Sequence, residues 1–104
     1  GGTVSIGRRE VTPESILDTV CSVFGVEKAQ LRTPSRKAVL ALPRQVTMYL
    51  VKKHTSASYN TIAQLLNRND HTTIMHGCKA IEGRLSLEPA LKERIEQVEA
   101  TLFA

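Results

Sequence analysis

The sequence predicts an all-α fold, a small domain of about five to six helices. Three observations carry this. Apolar residues recur every three to four positions through most of the chain. Helix punctuation falls at the ends of those runs, with Thr12-Pro13 before the first, Gly25 after it and Pro89 before the last. No stretch shows the strict alternation of a half-buried strand.

The elements follow in order. "GGTVSIGRRE", residues 1–10, is Gly-rich and polar and reads as a linker or an expression scar, leaving 11–104 as the folded domain. "VTPESILDTVCSVFG" begins a helix with Thr12 as cap and Pro13 at its first position, repeats Ile16, Leu17, Val20 and Phe24, and stops at Gly25. "VEKAQL" has room for one short helical turn, and "RTPSRK" is a polar, basic loop. From Ala38 to His54, Val39, Leu42, Val46, Tyr49 and Leu50 keep helical spacing. Pro43 interrupts this run without shifting its phase, which predicts a single kinked helix. Ser58 caps a short helix through Leu66, with Ile62, Leu65 and Leu66 inward. "NRN" is a tight turn into a longer helix capped by Asn69 or Asp70. The last helix follows Pro89, with Leu91, Ile95, Val98 and Leu102 inward and Glu93, Glu96 and Glu99 outward. The predicted core is Ile16, Val20, Phe24, Val46, Tyr49, Leu50, Ile62, Leu66, Ile74, Cys78 and Ile81.

A chain of 104 residues with 41% hydrophobic residues is one domain with enough apolar surface for a core. No apolar run approaches the ~18 residues of a membrane span, and no signal-peptide pattern is present. Cys21 and Cys78 both fall in helical patterns, which favours free buried thiols and a reducing cytoplasm. Between Val26 and Arg84 stand ten basic residues against three acidic ones, a net +7, while the flanks carry −3. That asymmetry points to a polyanion meeting one surface; a merely solvated basic face is the alternative.

"NRNDHTTIMHGCKAIE" concentrates the polar chemistry. At 100° per residue, Ile74, Cys78, Ile81 and Leu85 lie within about 40° of one line and face inward. Thr72, His76, Lys79 and Gly83 lie opposite, with Thr73 on one shoulder, while Asp70 and His71 occupy the helix start. Two histidines chelating one ion from one helix want i, i+4 spacing, but His71 and His76 are i, i+5, so no metal is expected. No second carboxylate, activated serine or nucleophilic cysteine completes a hydrolytic set, and no P-loop pattern occurs. The chain therefore reads as a binding protein and not an enzyme, without a cofactor. A capped helix with an ordinary solvent face remains the bland alternative.

A short helix, a tight turn and a longer helix with a polar leading edge make a helix-turn-helix. Its second helix would offer Asp70, His71, Thr72, Thr73 and His76 to base edges in a DNA major groove. Arg36, Lys37, Arg44, Lys52 and Lys53 would supply phosphate contacts. With four aromatic residues, two of them at core spacing, there is no stacking platform for single strands, so duplex DNA is favoured.

"DHTTIMHGCKAI" resembles the signature of the C-terminal DNA-binding domain of the bacterial replication initiator DnaA, and "LPRQVTMYLVKKHTSASYNTIAQLL" and "VTPESILDTVCSVFGV" fit the same domain. The likeness runs from about Val11 to Leu85, with three separated segments in the same order. It departs at Asn67-Arg68-Asn69, where the family usually has Gly-Gly-Arg, at Gly77, usually Ala or Ser, and at Asn60, often Pro. The resemblance implies recognition of the DnaA box, of the TTATNCACA type, at a replication origin. It assigns major-groove reading to Asp70, His71, Thr72, Thr73 and His76, and the minor groove to Arg36. Backbone or supporting contacts fall to Lys37, Arg44, Gln45, Lys52, Asn60 and Lys79. It implies a monomeric recognition fragment in the cytoplasm, partnered by box DNA, the rest of the initiator and replication regulators. ATP is expected only for the ATPase domain of the parent protein, which this stretch does not contain. A related domain of a transcription regulator or mobile element, and a helical protein-binding adaptor, are the competing readings.

Overall fold

A computed structural model describes residues 11–104; the linker or scar assigned to residues 1–10 lies outside the described residues. Six helices follow one another: α1 (Pro13–Phe24), α2 (Lys28–Leu31), α3 (Ala38–His54), α4 (Tyr59–Leu65), α5 (His71–Leu85) and α6 (Pro89–Leu102). Among the described residues there is no strand.

Local chemistry sets most boundaries. Thr12 caps α1, its hydroxyl accepting from Ser15 N at 3.1 Å while Ser15 Oγ accepts from Thr12 N at 2.9 Å. Gly25 ends the helix at φ 70°, a left-handed conformation that a side chain would strain. α3 runs unbroken through Pro43. Proline removes one helical donor there, and Thr47 Oγ1 bonds the Pro43 carbonyl at 2.8 Å. Ser58 caps α4 by accepting from Thr61 N at 3.1 Å.

α3 is the central helix, packed chiefly on α5 and α1 and also touching α2 and α4; α6 lies mainly along α1. Of the predicted core, Ile16, Val20, Val46, Leu50, Ile62, Leu66, Ile74, Cys78 and Ile81 are buried. Phe24 and Tyr49 sit instead on its rim. Each turns a ring face to a cation, Arg94 at 4.4 Å from the Phe24 centroid and Lys53 at 5.8 Å from that of Tyr49. Val39 keeps the helical spacing of α3 without joining the core. Its helical phase matches the buried Val46 and Leu50, yet it is 65% exposed, because Leu40 alone of the first α3 turn is covered.

Acidic side chains gather on the helices that begin and end the domain. Glu14 and Asp18 on α1 and Glu93 and Glu96 on α6 are exposed. Glu99 faces inward enough to clasp α3. Lys53 Nζ and His54 Nε2 lie 2.8 and 2.7 Å from Glu99 Oε2, and the His54 ring packs edge-on against Phe103. Burial pushes the Glu99 carboxyl up, but the bonds from Lys53 and His54 outweigh it and hold the group below its ordinary range. A depressed carboxylate stabilises the fold above its unfolded-state range and loses that contribution as the pH falls through the folded-state value. Glu99→Gln should therefore lower stability at neutral pH by about 1 kcal/mol. Denaturation curves of the two proteins should converge on acidification; a gap that persists in acid would show that the clasp is not electrostatic.

Candidate nucleic-acid interface

The turn between α4 and α5 sets the angle of the second helix. Arg68 N bonds Ala63 O at 2.7 Å and Asn67 N bonds Gln64 O at 3.1 Å, closing a Schellman motif. Its left-handed position is Asn67, at φ 58°. Asparagine is among the few side-chain-bearing residues that tolerate this region, which explains how the chain makes the turn without glycine.

Asp70 caps α5, Oδ1 accepting from Thr72 N at 2.9 Å. One carboxylate oxygen thus organises the helix start, where negative charge complements the helix dipole, and Oδ2 remains for an outside donor. Beyond the cap, His71, Thr73, His76 and Lys79 are exposed and Thr72 is half-buried, while Ile74, Gly77, Cys78 and Ile81 face the core. The predicted polar edge is present on one side of one helix. Burial first, and Glu82 second, push the Cys78 thiol up; burial and then Asp18 do the same for Cys21, so both stay protonated and poorly nucleophilic at neutral pH.

α3 crosses behind this helix at close range. A side chain at Gly77 would place its Cβ 2.3 Å from Met48 Sδ and 3.6 Å from Gln45 Cγ. Gln45 is half-buried beside that crossing. Arg36 and Lys37 are exposed in the loop before α3, and Lys52 is exposed near its far end, about 21 Å along the axis from Ala38 at 1.5 Å per residue. Lys52 Nζ lies 4.5 Å from the Tyr59 ring centroid. Exposed basic groups therefore stand near both ends of α3. Asn60 is exposed in the first turn of α4.

Arg44 does not belong among them. It is 6% exposed. Nε donates to Leu31 O at 3.0 Å and Nη2 to Gln30 O and Thr33 O at 3.1 and 2.9 Å, while Nη1 donates to Ser35 O. The guanidinium caps the C-terminal carbonyls of α2 and braces the following loop, where a cation also meets the negative end of a helix. Burial, and then the charge of Arg68, lower its pKa from the usual value. Four of its five N–H donors bond inside the protein, so it serves the fold as a brace and is not part of the exposed basic surface.

The comparisons agree with this architecture. The family model of the bacterial dnaA protein helix-turn-helix matches residues 13–81. The chain belongs to the DnaA helix-turn-helix family. Relatives of this DnaA type include the chromosomal replication initiator protein DnaA of Bacteroides thetaiotaomicron, 33% identical over 97% of this chain and 22% of the relative. That of Thermomicrobium roseum is 38% identical over 92% of this chain and 21% of the relative. That of Chloroflexus aggregans is 38% identical over 85% and 18%. The chain thus spans about a fifth of the DnaA relatives it matches. It is a DNA-binding helix-turn-helix domain of the DnaA type. No helix among the described residues is long and apolar enough to cross a membrane.

Proposed function

We propose that this domain recognises double-stranded DNA carrying a DnaA box, of the TTATNCACA type, as the origin-reading part of a replication initiator. The carrying observation is the polar leading edge of α5, where His71, Thr73 and His76 are exposed with no side-chain hydrogen bond among the described residues and Asp70 caps the helix. α5 enters the major groove N-terminus first. Thr72 and Thr73 supply hydroxyls and methyls, the histidines supply ring nitrogens, and Asp70 Oδ2 accepts from an amino group. Arg36 enters the adjacent minor groove, where a narrow A·T-rich track concentrates negative potential. Lys37, Lys52 and Lys79 neutralise phosphates, and Gln45 and Asn60 add polar contacts to the backbone.

On this reading the domain binds without catalysing and needs no cofactor. ATP is the business of another domain of the parent initiator. The setting is the bacterial cytoplasm at the nucleoid, with the remaining initiator domains and replication regulators as protein partners and a monomeric recognition unit.

Titrating the chain against a duplex with one box and a scrambled duplex tests this directly. The box should be preferred by at least ~100-fold at moderate salt. Equal binding to both duplexes would remove the proposal. Thr73→Ala and His76→Ala should each reduce the preference by ~1–2 kcal/mol, the lower part of the range for a base contact, since neither side chain is a bidentate fork. Lys52→Ala should weaken both duplexes alike and flatten the salt dependence by about one phosphate contact. Should Lys52→Ala alter the preference while His76→Ala does not, α5 is not the reading helix.

A further inference from the structure

The turn of the helix-turn-helix is tied to the basic loop by side chains far apart in sequence. Arg68 Nη1 donates to Thr33 O at 3.0 Å and Asn67 Nδ2 to Arg32 O at 3.3 Å. In the opposite direction, Arg32 Nε donates to Leu65 O at 2.8 Å. Thr33 O is shared, since Arg44 Nη2 reaches it at 2.9 Å from the other side. Two guanidinium groups thus converge on one carbonyl, an arrangement that repels electrostatically and is retained by the bonds each makes. Arg36, exposed and without a hydrogen-bond partner among the described residues, follows three residues after this anchor in the same loop. Arg68 precedes the first residue of α5 by three.

We infer that Arg68 is a positioning residue, holding the 32–37 loop at a fixed offset from α5 so that Arg36 and the base-reading edge engage one duplex together. The inference rests on the DNA reading above. A basic side chain in the turn ahead of a reading helix invites assignment to a phosphate; here its guanidinium instead bonds a loop carbonyl. Asn67 contributes twice, since its left-handed backbone sets the direction of Arg68 and its amide adds the second tie. A loop already ordered loses less conformational freedom when DNA arrives, so the benefit appears as affinity that depends on Arg36.

A double-mutant cycle tests this. Affinities of the chain, Arg36→Ala, Arg68→Ala and the double variant are measured on a duplex with an intact box and on one whose TTAT half is G·C-substituted. Arg68→Ala should weaken binding to the intact box about five- to tenfold, with little further loss once Arg36 is alanine. On the substituted duplex, where a guanine amino group obstructs the minor groove, its effect should largely vanish. Arg68→Lys, which keeps a donor and a charge, should recover part of the loss. Asn67→Gly, which frees the turn from left-handed strain while removing the Arg32 tie, should show the same dependence on Arg36 in a well-folded protein. Losses that multiply across the cycle, or that are equal on both duplexes, overturn the positioning role, because Arg68 then touches phosphate itself or merely supports the fold. If the unmodified chain fails to prefer the box over a scrambled duplex, the DNA-box reading and this inference fall together. A chain that prefers the box but shows multiplying losses retains the first and loses the second.

Discussion

Arg44→Met will destabilise the domain by about 3 kcal/mol, and Arg44→Lys will restore less than half of that. Methionine keeps most of the buried stem but leaves the carbonyls of Leu31 and Ser35 without the donors that now reach them. Gln30 O is better protected, because Thr33 Oγ1 also donates to it at 2.8 Å, and Thr33 O keeps Arg68. The loss is therefore dominated by two carbonyls stripped of partners in a low-dielectric site, each costing ~1–3 kcal/mol. Lysine preserves the charge but cannot reproduce a planar fork that reaches several acceptors at once. Urea denaturation checks the values. A surface phosphate contact would make Arg44→Lys nearly silent for stability, so a small effect of both substitutions would return Arg44 to the DNA-binding set.

The second large effect belongs to Gly77. Gly77→Leu should cost ~2–3 kcal/mol, although leucine is the better helix former, because it overpacks the α3–α5 crossing. Even its Cβ would sit 2.3 Å from Met48 Sδ, so either the methionine leaves or the helices separate. Gly77→Ala is a milder case, with helix propensity gaining up to ~1 kcal/mol against the displacement of one flexible side chain. Met48→Ala in the Gly77→Leu background should recover a large share of the lost stability by opening the space leucine needs. A double variant no more stable than Gly77→Leu alone would place the clash elsewhere. Gly77 is thus explained by the approach of α3 and not by the exposed side of the helix. At Gly83, on that exposed side, a Cβ would meet nothing within 4 Å, so no such constraint applies there.

Local signals are legible wherever the physics is local. Thr12, Ser58 and Asp70 announce helix starts because their side-chain oxygens satisfy backbone amides two or three residues away. The polar edge of α5 is readable for a similar reason, as one angular phase sorts Ile74, Cys78 and Ile81 from Thr73, His76 and Lys79. Arg44 is misplaced on the surface when charge is weighed before phase. Leu40, Arg44, Thr47 and Val51 fall within about 60° of arc, and all four are buried, so the helix wheel already places this arginine inside. Val39 shows the limit of phase alone, since it shares that of Val46 and Leu50 in a turn that is uncovered. The ties from Arg32, Asn67 and Arg68 have no local signature at all, since each bridges 33 to 35 residues. Only the substitution of asparagine for glycine at the left-handed position hints that this turn is built differently.

The acidic side chains on α1 and α6 also have a consequence for the approach to DNA. Those two helices pack on each other and keep an acidic excess despite Lys92 and Arg94 on α6, whereas the other exposed cations lie on the 32–37 loop, α3 and α5. In the field of a phosphate polyanion, such a molecule experiences a torque as well as an attraction, turning its basic side inward before contact. Fewer random collisions are then wasted on the wrong face, which raises the association rate at low ionic strength. Because the field decays over about 8 Å at physiological salt, this orienting effect acts only in the last stretch of the encounter.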